Sequence, residues 1–278
     1  MSPQIPLCCN SRGFDLLKQQ PPIINSPDAL MNGAIAIAMH QLADVEPGDV
    51  DAQLQAYVDR IRKRVRGRQA QALMAHMHDI LFEEEGYRGN TEDYYSVVNS
   101  YLPAVMMTKR GMPITLALIY KIVAERLGLH VYGIGIPGHF LIGIKADGGP
   151  MIIDPFHSGR ILTPDEVHSR LQEMFGPEVE WSEEQLLPAS NRHWLTHILQ
   201  NMLTVFEKSG QFNDVAAVLE MEMLLWPEHI HLQRDLGLVL ARCGLSQPAF
   251  IWLDRYVRAS PDDPQVPQLQ YLLNVLSP

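Results

Sequence analysis

Residues 113–155 constrain the architecture more than any other stretch of this chain. The segment PITLALIYKIVAERLG has apolar Leu116, Ile119, Tyr120 and Val123 on a helical stripe. Proline is tolerated in its first turn and Gly128 can close it. The run HVYGIGIPGHFLIGIKADGGPMIIDPF then reads as three short strands at about 130–136, 139–145 and 150–155. Ala146-Asp147-Gly148-Gly149 supplies the turn between the last two. A largely buried helix followed by a small antiparallel sheet is therefore the expected core, in an α+β protein.

The turn also sets a register. If Lys145 faces Pro150, Leu141 faces Asp154, and His139 lies one diagonal step away. Diagonal cross-strand neighbours are roughly 7–8 Å apart at Cα, within reach of an imidazole and a carboxylate. The spacing permits a His139–Asp154 pair.

Helical spacing also covers the region before this core. Ser26-Pro27-Asp28 has the form of a helix start, a second helix fits 50–65 and a third fits 69–85. Residues 1–25 show little periodicity and are expected to form a loosely held arm. From about 194 the pattern is purely helical and repeats: Gly210 and Gly244 are 34 apart, as are Pro227 and Pro261. Gly237, Ala249 and Pro261 sit where a tetratricopeptide repeat places its close-packing residues and final proline; Leu203 and Val215 match less well. The expected divisions are an arm at 1–25, a core domain at 26–190 and helical repeats at 191–278.

Charge limits the partners. A net charge of -10 argues against general affinity for nucleic acid or anionic membranes. The exception is RIRKRVRGR at 60–68, with six basic residues in nine, expected to be a solvated helix face paired with nearby acids. No run of about 18 apolar residues occurs, and the three cysteines, Cys8, Cys9 and Cys243, contain no CxxC. A cytoplasmic setting without membrane attachment is the expectation.

The segment from Gly86 to Leu162 resembles the bacterial transglutaminase-like family of the SirB type, regulator of sirC expression. The similarity is carried by RGMPITLALIY, PGHF, and DPF followed by Gly159-Arg160, and extends over roughly 28–275. The resemblance implies a papain/transglutaminase-like core followed by C-terminal tetratricopeptide repeats. It places His139 and Asp154 at the family's catalytic His and Asp. Ordinary transglutaminase-like helices open G-x-C, whereas Gly111-Met112-Pro113 sets Pro113 at the nucleophile position.

A thiolate at a helix start, a His base and an orienting Asp make up thiol acyl transfer. A pyrrolidine cannot take part. Thr115 is a poor substitute nucleophile, since a first-turn threonine usually hydrogen-bonds its own helix; Cys8 or Cys9 would have to reach in from the arm. His139 and Asp154 then have four readings: a structural pair, part of a binding pocket, a base for an activated water in an amide or ester hydrolase, or, with His157, a metal site. Tyr94, Asn99 and Arg110 are the next candidates, as binding residues lining the groove above the helix start. His76 and His78 point to different sides of a helix. The expected function is a non-catalytic, transglutaminase-like protein that needs no cofactor or metal and binds a peptide or protein partner through its repeats and the vestigial groove. The resemblance implies a regulatory role.

Overall fold

The computed structural model describes residues 5–67, 69–146, 149–180 and 182–277. They form two compact units, one of residues 1–44 with 199–278 and one of residues 45–198.

The first unit begins with α1 (Ser11–Lys18) and α2 (Ala29–Ala38). Residues 5–25 are thus not the loose arm expected at 1–25. Phe14 and Leu17 of α1 are fully buried, and α1 packs on α2. Ahead of it, the backbone N–H groups of Leu7, Cys8 and Cys9 donate to the carboxylate of Glu220, at 2.7, 3.1 and 2.9 Å. A buried acid with three backbone donors fastens a segment that has no periodicity of its own. The expected start at Ser26 also shifts: α2 begins at Ala29, with Asp28 in the cap position.

The second unit opens with α3 (Pro47–Arg64) and α4 (Ala70–His78), which continues as π-helix over Asp79–Glu84. Two-residue strands β1 (Arg88–Gly89) and β2 (Arg110–Gly111) pair in parallel, flanking α5 (Leu102–Thr108). The helix predicted from Pro113 is α6 (Pro113–Arg126); every residue from Pro113 to Ala124 is buried. Gly128 closes it at φ +88°, a conformation costly to any residue with a Cβ.

The sheet follows as an antiparallel meander: β3 (Val131–Ile136), β4 (His139–Ala146), β5 (Gly149–Asp154) and β6 (Arg160–Leu162). Lys145 pairs with Pro150, as the turn length requires; the turn residues Asp147 and Gly148, like Arg68 of the basic run, lie outside the described residues. The short edge strand β6 was not anticipated. Gly159 hydrogen-bonds back to Asp154 and, with Ser158, adopts left-handed backbone that returns the chain to the sheet.

Alternation along the strands separates two faces. Ile134, Ile136, Leu141, Ile152 and Leu162 pack with Val167 and Leu171 of α7 (Pro164–Phe175). Phe140 points the other way. There Trp194 lies against it at 4.5 Å between ring centroids and donates from Nε1 to the Ile114 carbonyl of α6 at 3.4 Å. Trp194 belongs to α8 (Asn191–Ser209), within which the division between the units falls.

The first unit resumes with α9 (Phe212–Leu225), α10 (His231–Arg242), α11 (Ser246–Ala259) and α12 (Val266–Leu276). From α9 onward each helix packs on its successor. At Gly237 of α10, a Cβ would stand 2.7 Å from Leu253 Cγ and 3.2 Å from its backbone nitrogen. Overpacking of this kind costs about 1–3 kcal/mol, against about 1 kcal/mol of helix propensity gained. Gly237→Ala is therefore expected to lose about 1 kcal/mol net, read as a lower urea midpoint at unchanged m-value. Met74, Met77, Met221 and Met223 are buried core residues.

Candidate functional site

Asp154 ends β5 and caps the turn that follows. Its Oδ1 accepts from the backbone N–H of Phe156 (3.1 Å) and His157 (3.3 Å), the local hydrogen bonding that Asp-Pro sequences favour at turn starts. Its Oδ2 meets three side chains: Arg170 Nη1 of α7 at 2.5 Å, His157 Nδ1 at 2.8 Å and His139 Nε2 at 3.0 Å. The carboxylate is completely buried. Burial alone would raise its pKa, but the imidazoles of His139 and His157 outweigh it and hold the acid well below the usual carboxylate range.

The pairing permitted by the sequence therefore forms, in altered terms. His139 Nε2 lies close to Oδ2 but out of line for donation, and is left buried without a hydrogen-bond partner. Arg170 and His157 take the oxygen that, in a triad, would orient the catalytic imidazole. The ring of His139 sits edge-on to Phe156, at 5.7 Å. Phe156 in turn covers Gly89, where a Cβ would come within 2.3 Å of the phenyl ring.

Register puts His139 and Asp154 on the α7 side of the sheet, the face of Leu141 and Ile152. A cavity of about 400 Å³ opens there. Ile136, Leu141, Leu162 and Val167 form its apolar wall; His139, His157, Arg160, Arg170 and Glu173 supply the polar groups. This cavity lies on the α7 side of the sheet because strand alternation directs His139 that way.

The other predicted residues fall into distinct places. Pro113 opens α6 and is buried. Thr115 is fully buried, its Oγ1 without a hydrogen-bond partner, so its hydroxyl does not bond back to its own helix; it is not among the residues lining the cavity. Tyr94 approaches the site through Phe156, with ring centroids 6.0 Å apart. Asn99 is buried, donating to the carbonyls of Asp93 and Tyr94 and accepting from Asn90. Arg110 donates to the carbonyls of Gly86 and Lys109. His78 pairs with the Tyr120 hydroxyl at 2.9 Å, while His76 stands 3.6 Å from Asp79, the divergence a helix imposes.

Two further observations bear on chemistry. Cys8 is pushed up to about 12 and Cys9 higher still, chiefly by burial and then by the Glu220 charge, so neither is readily a thiolate. His139, Asp154 and His157 each offer a ligand atom, all within 4.8 Å of one another. Arg170 Nη1, however, is 2.5 Å from the Asp154 oxygen and 3.4 Å from His157 Nδ1, so a guanidinium already occupies the cation's place. Sequence reasoning missed Arg170, which appears only as one polar residue on an amphipathic helix.

Residues 48–200 match the family model described as the transglutaminase-like superfamily. A UPF0162 protein of Xylella fastidiosa (strain 9a5c) is 34% identical over 236 residues, covering 84% of each chain. A UPF0162 protein of Vibrio cholerae is 21% identical over 71% of this chain and 73% of its own. Human F-box only protein 21 is 28% identical over 171 residues, half of this chain and 27% of that protein. No solved structure gives a significant match.

Proposed function

The chain belongs to the transglutaminase-like superfamily, and we propose that it is a member without a nucleophilic cysteine at the start of α6, binding a peptide or protein partner instead of transferring acyl groups. The observation that carries this reading is the chemistry lining the cavity beside His139. Among the described residues, imidazole, guanidinium, carboxylate, thioether and aliphatic groups face it, with neither a hydroxyl nor a thiol. Acyl transfer through a covalent intermediate needs a nucleophile within hydrogen-bonding reach of its base. The resemblance sets Pro113, which opens α6, at that position, and the Thr115 hydroxyl is buried without lining the cavity.

The same cavity suits one side chain or terminus of an extended peptide: apolar walls for contact area, a few polar groups at the mouth for orientation. Helices α8–α12 fit a tetratricopeptide-type region, with the 34-residue spacing of Gly210 and Gly244 and the close approach at Gly237. They would offer the second partner surface, consistent with a SirB-type regulatory protein working in the cytoplasm. No helix among the described residues is long and apolar enough to cross a membrane.

The competing reading, a hydrolase in which His139 activates water, is separated by experiment. Purified protein incubated with amide and ester substrates is expected to show no turnover, and His139→Ala to behave identically. Turnover that disappears in the variant would overturn the binding reading. In parallel, a peptide selected on the intact chain is expected to bind about tenfold or more weakly when His157 and Arg160 are both alanine; unchanged binding would place the partner site elsewhere.

A further inference from the structure

The basic run beginning at Arg60 divides between two destinations. Arg60 and Arg64, one turn apart on α3, pair with Glu84 at 2.7 and 2.5 Å, and Arg60 also reaches Glu85. That is the acid-paired helix face expected of such a run. Arg62 points away from these acids and lines a separate cavity of about 1010 Å³ within the same unit.

This second cavity lies at the end of α6 remote from Pro113. Arg62, Glu125, Arg126, His130 and Lys145 face it, over an apolar wall that includes Leu73. Glu125 is neutralised by Lys121, and Arg126 by Asp51. Arg62 and Lys145, both exposed, have no acidic partner among the described residues. Two uncompensated cations in a protein of net charge -10 run against the overall balance.

A helix C-terminus would ordinarily repel an anion through its unpaired carbonyls. Here all four are occupied. That of Val123 accepts from Leu127, that of Ala124 from Leu127 and Leu129, that of Glu125 from Gly128, and that of Arg126 from Arg62 Nη2 at 2.7 Å. The carbonyls at this helix end are thus engaged, one of them by Arg62 itself, which lessens their repulsion of an anion.

We propose that this groove binds a small phosphorylated ligand of nucleotide size. Arg62 and Lys145 contact its phosphates, and His130 with the apolar wall contacts the remainder. The size is at the upper end for small-molecule sites, and guanidinium and ammonium together are the usual phosphate partners. The assignment is independent of the His139 cavity and stands whether or not a peptide binds there.

Calorimetric titration of the full chain with ATP and with pyrophosphate tests it, with citrate and a single-stranded oligonucleotide as controls. Saturable binding of ATP is expected, weakening as salt rises. Lys145→Glu should lower the affinity about tenfold or more. Arg62→Ala should do likewise, but because Arg62 also caps α6 the exposed Lys145 carries the test. An unchanged melting temperature for Lys145→Glu shows that the loss is one of binding. No heat with millimolar ATP or pyrophosphate overturns the proposal. So does undiminished affinity in Lys145→Glu, equal binding of citrate, or binding of the oligonucleotide without ATP.

Discussion

Asp154→Ala is expected to destabilise the protein by about 3 kcal/mol, the lower end for removing one member of a buried ion pair. The substitution strands several groups together: the Arg170 guanidinium and the backbone N–H groups of Phe156 and His157 all lose their acceptor. Arg170 and His157 keep partial access to water, which limits the loss. The effect has a pH signature with a definite sign. The folded-state pKa is depressed below the unfolded value of about 3.9, so the carboxylate's contribution is complete at neutral pH and drains away as pH falls below about 4. Urea unfolding of wild type and variant from pH 7 down to about 2 should therefore give stability curves that converge in acid. Parallel curves would show that the ionised form of Asp154 gives no net stability.

Trp194→Ala should cost about 3–5 kcal/mol, the range for truncating a buried tryptophan. Its indole is completely enclosed, packs tilted against Phe140 and fills the space above Gly133, where a Cβ would come within 2.3 Å of Cζ3. The void would be lined mainly by apolar atoms, and such cavities stay dry and accept small aromatic guests. Added indole is thus expected to recover part of the lost melting temperature in the variant and to leave wild type unchanged. A loss below about 1 kcal/mol would mean that Trp194 is not a main contact between α8 and the sheet.

Much of the central core was legible in the residues. Apolar spacing from Leu116 to Val123 defined α6, and the turn after Lys145 fixed the pairing of β4 with β5. Period-two and period-3.6 patterns are strong where one face is buried, and these elements have such faces. His139 and Asp154 were brought together by that same register. The N-terminal segment was misread because its order comes from a distant acid, Glu220, and from burial of Phe14 and Leu17, neither of which leaves a local periodic mark. Strand β6 is three residues long, too short for alternation to register.

The amino-acid sequence by itself determined that the buried helix α6 opens on a proline and contains no cysteine, and that a histidine and an aspartate would share one sheet. Tertiary structure alone decided which way they face and what holds them. The pleat sends His139 toward α7, and Arg170, sixteen residues beyond Asp154, takes the carboxylate oxygen a catalytic imidazole would need. A strand's alternation can be read locally. The cation that settles beside a buried charge is chosen by packing between elements, and no spacing along the chain encodes it.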